Sequence, residues 1–151
     1  MAERFSITNI LLVVDGTESG VRAARFGVQL AAFHKASVAA VAVVDTATLK
    51  SLLTSSVLVE SEMEEFDEEL GASAQTNLNY ASQLAKAAGV NLTPLLRKGS
   101  AHVIISDEIR DAQPDLLVMG SFTTSMIKRD LSARNRRLIV DDAQCPIVLV
   151  P

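Results

Sequence analysis

The residues best suited to chemistry gather in one stretch, Leu116 to Arg137, LLVMGSFTTSMIKRDLSARNRR. An apolar run ends in Gly120-Ser121. Hydroxyl side chains follow, and then cations. Ser121, Thr124 and Ser125 with Lys128, Arg129, Arg134, Arg136 and Arg137 are the donor types that hold an anion, arginine doing so with two parallel hydrogen bonds to phosphate. The plainer reading is a solvated polar loop leading into a basic helix. A second candidate is Asp15, which ends another apolar run and can accept a hydrogen bond from a ligand amine or amide. Asp45 ends a third such run and reads as a turn or capping aspartate. His102 stands in the first turn of a helix, where a surface or capping role is the simpler reading. The acidic run Glu60, Glu62, Glu64, Glu65, Asp67, Glu68, Glu69 has no matching histidines and reads as a solvated helix face, not a metal site.

These groups need a frame. Ile7 to Val14 is a continuous apolar run closed by Asp15-Gly16-Thr17, the pattern of a strand buried on both faces. Thr17 is placed to cap a helix reaching about His34, with Glu18 in its first turn. Val21, Ala24, Val28, Ala31 and Ala32 form its apolar stripe, which Gly27 interrupts. Ser37 to Val44 is a second buried strand. Thr46 to Glu60 reads as a loop or short helix over the ligand face, or as a partner surface, because its leucines need a reason to be exposed. A long helix covers Glu60 to Ala88 and ends at Gly89. Asn91 to Lys98 is a third strand, placed at a sheet edge by Pro94, which cannot donate to a ladder. Ser100 begins a helix running past Arg110. Leu116 to Met119 and Ile147 to Val150 are the last strands, with a helix from about Ala133 to Asp142 between them. Five apolar strands alternating with four helices specify an open, doubly wound parallel α/β sheet with helices on both faces. Without an internal repeat or linker-like stretch, residues 1–151 read as one domain.

Composition narrows the function. A net charge of −4 over 151 residues does not suit nucleic-acid binding. No apolar run reaches the ~18 residues of a membrane helix. The opening MAERFSITN lacks the pattern of a signal peptide, and the lone Cys145 fits a reducing compartment, so the expected location is cytoplasmic. No phosphate-binding G-x-x-x-x-G-K-[ST], dinucleotide G-x-G-x-x-G or hydrolase G-x-S-x-G motif occurs. With two histidines and one cysteine, covalent or metal catalysis has few candidates.

The ordered series ILLVVDGTESG, VAVVD, KGSAH, PDLLVMGS and CPIVLV resembles the universal stress protein family over residues 7 to 151. The resemblance implies a Rossmann-like sheet of order 3-2-1-4-5. It also implies a homodimer paired antiparallel through the last strand, and PIVLVP, apolar and without a charged guard, suits that. It places Val13, Asp15, Val43, Met119 and Gly120 where the family contacts adenine and ribose. Packing alone would also explain the valines and Met119. ATP-binding members carry G-x2-G-x9-G-[ST] after strand four, whose glycines let backbone amides approach phosphates. Here the motif starts at Gly120, but its next positions hold Thr123, Ala133 and Arg134. The resemblance thus implies a non-enzymatic stress-response or regulatory dimer with weak or absent ATP binding and no certain cofactor. The alternative is a nucleotide-gated switch for ATP or AMP, with Arg134 in place of glycine amides at the phosphate. Slow ATP hydrolysis is the weakest reading. A further protein partner would suit a regulatory role.

Overall fold

The computed structural model describes residues 4–46, 54–55, 60–121 and 126–151. The elements run β1 (Asn9–Val13), α1 (Glu18–His34), β2 (Ser37–Asp45), α2 (Glu60–Ala88), β3 (Leu92–Gly99), α3 (Ala101–Ala112), β4 (Leu116–Gly120), α4 (Met126–Asp142) and β5 (Ile147–Val150). All strands are parallel, in the order β3-β2-β1-β4-β5. The expected sheet order therefore holds, and Pro94 lies on an edge strand.

The continuous apolar runs exist because both faces of the sheet are covered. On one face Ile10, Leu12, Val38, Ala40 and Val118 pack against Ala23, Ala24 and Ala31 of α1 and Leu78 and Ala81 of α2. On the other, Leu11, Val41, Leu117 and Met119 pack against Ile105 and Ile109 of α3 and Ile139 of α4. Successive residues of one strand point to opposite faces, so neighbours such as Leu11 and Leu12 serve different cores. Gly27 has a packing reason. A Cβ there would stand 3.2 Å from Leu12 Cδ1 and 3.6 Å from Val118 Cγ1, so α1 rides directly on β1 and β4.

Helix ends follow local chemistry. Thr17 is the N-cap of α1, and its hydroxyl accepts from the Gly20 N–H at 3.0 Å. Gly89 closes α2 with φ +70, and the Val90 N–H returns to the Ala85 carbonyl at 2.8 Å. Ser100 is the N-cap of α3 by backbone geometry, but its side chain makes no capping bond. At the foot of the sheet Asp115 Oδ2 accepts from the Thr8 N–H (2.8 Å), the Thr8 hydroxyl (2.9 Å) and the Asn9 N–H (2.9 Å). These bonds hold the carboxyl below its ordinary range, the Thr8 backbone donor contributing most.

Two boundaries need correction. The helix expected from Ala133 begins at Met126. The hydroxyl-rich residues before it suggested a longer loop, yet MIKRDLS holds neither glycine nor proline, so nothing in it stops a helix from extending. The first strand is Asn9–Val13, shorter than the apolar run Ile7 to Val14. Most of Thr46 to Glu60 lies outside the described residues.

Candidate functional site

In an open parallel sheet, the strands on either side of the reversal in order send their connections to opposite faces. A crevice is left above their carboxyl ends. Here the reversal lies between β1 and β4, and the crevice has a volume of about 230 Å³. Its apolar wall is Val13, Val43 and Met119 from the sheet, Ile105 from α3 and Ile139 from α4. Its polar rim is Asp15, Thr17, Asp45, Ser121, Asn135 and Arg136. A second hollow of about 510 Å³ shares Asp15, Thr17, Val43 and Asp45 and runs on toward Phe66, Ser73 and Asn77 of α2. Asp15 and Asp45 therefore line two neighbouring spaces.

The side chain of Asp15 is partly committed. Its Oδ1 accepts from the Thr17 N–H at 3.0 Å and from the Thr17 hydroxyl, which turns the chain from β1 into α1. A Cβ on Gly20 would come within 1.9 Å of that oxygen, so this turn needs a glycine in the first turn of α1. A carboxylate has more acceptor sites than these two bonds use, so Asp15 keeps capacity for a ligand N–H or O–H at the crevice rim.

Gly120 abuts the same helix start. A Cβ there would lie 2.7 Å from the backbone nitrogen of Gly20 and 2.7 Å from Ser19 Oγ. The end of β4 thus presses its backbone against the beginning of α1. Gly120 has a structural reason to be glycine apart from any phosphate.

Ser121 follows. Its N–H donates to the Val150 carbonyl at 2.9 Å, fastening β4 to β5. The side chain is only 8% exposed, it lines the crevice, and its hydroxyl has no hydrogen-bond partner among the described residues. Leaving a buried hydroxyl unpaired costs about 1–3 kcal/mol. A group in this position usually answers to a ligand, a water or a functional constraint.

Seven candidates named from the sequence come together here: Val13, Asp15, Val43, Met119, Gly120, Ser121 and Arg136. Arg134 is exposed and is not among the lining residues. Ala133 falls within α4, and Thr123 lies outside the described residues. Asp45, read as a turn or capping aspartate, stands immediately before the helical residue Thr46. It is the last residue of β2, it lines the crevice, and it accepts from Asn135 Nδ2 at 3.3 Å, tying the sheet to α4. Arg136, one of the cations read from the sequence as able to hold an anion, lines the crevice, whereas Asn135, Ile105 and Ile139 were missed. These three lie on helices distant in sequence, and only helical spacing toward the neighbouring arginines could have suggested Asn135. His102 does not line the crevice. Its Nε2 lies 2.6 Å from Asp142 Oδ2, joining the start of α3 to the end of α4. Among the described residues no group of three or more His, Cys, Asp or Glu side chains could hold a metal.

The model of the universal stress protein family matches residues 6–151, nearly the whole chain. The chain belongs to the universal stress protein family. A Staphylococcus epidermidis relative named as a universal stress protein is 29% identical over 147 residues, covering 96% of this chain and 84% of the relative. The universal stress protein UspA of Lactobacillus plantarum superposes with a TM-score of 0.71 at 24% identity, covering 98% of this chain and all of that one. A universal stress protein solved in complex with cAMP superposes with a TM-score of 0.69 at 18% identity, covering 96% and 97% of the two chains. At these identities the solved neighbours establish the fold. No helix among the described residues is long and apolar enough to cross a membrane.

Proposed function

We propose that this universal stress protein is a non-enzymatic regulatory dimer whose crevice takes an adenine nucleotide with a short phosphate chain, while ATP binds weakly or not at all. The observation that carries the reading is the buried Ser121 hydroxyl, unpaired among the described residues, on the wall of an apolar slot bordered by Asp15. A flat heterocycle suits the slot between Val13, Val43 and Met119, and the Asp15 carboxylate suits an N–H or ribose hydroxyl. A family neighbour in complex with cAMP is consistent with a ligand of this size.

Charge and backbone argue against a triphosphate. The rim carries two carboxylates, Asp15 and Asp45, which oppose a polyanion. The family's glycine positions hold Thr123 and Ala133 in this sequence, and glycine is the residue that lets a backbone amide approach a phosphate closely. Losing two hydrogen bonds to charged phosphate, at about 1.5–3 kcal/mol each, weakens binding a hundred-fold or more. Among the described residues Arg136 is the arginine that lines the crevice, and its planar fork suits one phosphate.

Titration of nucleotide-stripped protein with AMP, cAMP and ATP by calorimetry tests this. A monophosphate bound at least about ten times more tightly than ATP supports it. Micromolar ATP binding that disappears in Asp15→Ala overturns it. The dimer is assigned to β5, an edge strand of sequence IVLV.

A further inference from the structure

Beside the stripe that packs on the sheet, α1 has two flanks. One turns toward α2, where Arg25 Nε donates to the Tyr80 hydroxyl at 2.8 Å. The other turns toward the C-terminal strand, where Arg22 Nε donates to the Pro151 carbonyl at 2.6 Å. Phe26 and Phe33 follow Arg22 by one and three turns, so they share its flank. Phe26 is 40% exposed and Phe33 is 83% exposed. Leu30 lies between them, only partly buried, against the same core layer as Val148 and Val150 of β5. The side of α1 next to β5 is thus an apolar ledge.

The two edges of the sheet differ. β3 carries Pro94, Arg97 and Lys98, which discourage pairing by another strand. β5 has neither proline nor charge. The Pro146 and Val150 carbonyls accept from Leu117 and Ser121 of β4, both at 2.9 Å. By alternation Leu149 turns its peptide groups outward, and it is 42% exposed.

We infer that Phe26 and Phe33 form a second layer of a homodimer interface, packing against α1 of a second copy above a pair of β5 strands. The inference rests on the strand-paired dimer proposed above. Two identical edge strands pair antiparallel about a two-fold axis normal to the sheet, and that operation keeps each face on its own side. Both copies of α1 then flank the paired β5 strands on one face. Because α1 rides over β1 and β4, the two helices stand three to four strand spacings apart, roughly 15–19 Å. That is wider than the 8–10 Å of direct helix packing, so the gap needs large side chains to fill it. Heights also agree. Phe26 lies about 6 Å along α1 from Arg22, and Leu149 about 7 Å along β5 from Pro151, the residue to which Arg22 is bonded. Phe26 is therefore level with the middle of the edge, where the axis passes and a residue meets its own copy.

The test uses the full chain with p-benzoylphenylalanine at position 26. Irradiation is expected to cross-link two copies through peptides of Glu18–His34, while the same label at Val103 on α3, which packs toward β2 and β3, gives none. Phe26→Ser with Phe33→Ser is expected to raise the dimer dissociation constant at least about tenfold in sedimentation equilibrium. Leu149→Pro, which removes an outward N–H, is expected to give monomers. A dimer that responds to Leu149→Pro but not to the serine variants, with no cross-link from position 26, overturns the inference and leaves strand pairing intact. A wild-type monomer, or a dimer indifferent to Leu149→Pro, overturns strand pairing and the aromatic layer with it.

Discussion

Gly120 and Gly20 touch. A Cβ on Gly120 would lie 2.7 Å from the Gly20 nitrogen, closer than a side chain can come to a neighbouring backbone. The contact joins the end of β4 to the start of α1 and closes the floor of the crevice. Gly20 is pressed from its other side by the Asp15 carboxylate. One contact region therefore sets strand, helix and candidate ligand group together.

Gly120→Ala is expected to force β4 and α1 apart. Urea unfolding should show a loss of about 1–3 kcal/mol, the usual cost of overpacking. Gly71→Ala is the contrast. Nothing lies within 4 Å of a Cβ there, on α2. It should gain about 0.5–1 kcal/mol, since alanine suits a helix better than glycine. Equal losses in both variants would remove the close-approach account of Gly120.

Ser121→Ala separates a ligand-facing hydroxyl from a structural one. The hydroxyl is buried and has no partner among the described residues, so its removal should leave stability unchanged or raise it. Nucleotide affinity, measured in parallel by calorimetry, should fall about five-fold, the worth of one neutral hydrogen bond of about 1 kcal/mol. A stability loss above about 1 kcal/mol with affinity intact would mean that the hydroxyl serves the fold instead.

Asp115 should govern part of the acid sensitivity. Its carboxyl lies below the ordinary value of 3.8 in the folded chain because Thr8 and Asn9 donate to it. A carboxyl with a depressed folded value contributes stability that is present above its unfolded value and is lost as pH falls through the folded one. Stability should drop on acidification from about pH 4 downward. Asp115→Asn, which keeps an acceptor oxygen but loses the charge, should lower stability at pH 7 by about 0.5–1.5 kcal/mol and flatten that acid limb. An unchanged acid limb in Asp115→Asn would assign the acid response to other carboxylates.

The Cys145 thiol is pushed up by burial, which outweighs the hydrogen bond from the Leu117 backbone. Less thiolate at neutral pH means slower alkylation. Iodoacetamide at pH 8 should label the native chain several times more slowly than the urea-unfolded chain. Equal rates would show a thiol as exposed and as acidic in the fold as out of it.

Much of this architecture was legible in the chain. Strands buried on both faces must be apolar throughout, and ILLVV, SVAAVAVV, LLVM and IVLV say so without further context. Turn chemistry marked where the strands deliver Asp15 and Gly120. The start of α4 was less legible, because hydroxyl-rich residues suggested loop while Met126 to Ser132 hold nothing that stops a helix. The crevice was legible by half. Its sheet wall follows from strand ends, which local sequence reveals. Its helix wall, with Ile105, Asn135 and Ile139, comes from segments that look like ordinary amphipathic helix until packing aims them inward.

The sequence by itself determined the parallel α/β sheet, its edge at Pro94 and a family whose pattern runs from end to end. These rest on periodicity and turn residues, which act between near neighbours. Tertiary structure decided that Gly120 is held to glycine by Gly20, that the Ser121 hydroxyl is buried in a crevice without a partner among the described residues, and that Asp45 belongs to its rim. It also decided that the aromatic flank of α1 lies beside an open strand. Each of these joins residues far apart in the chain, and contacts at that range are set by how helices seat on a sheet, not by any local preference.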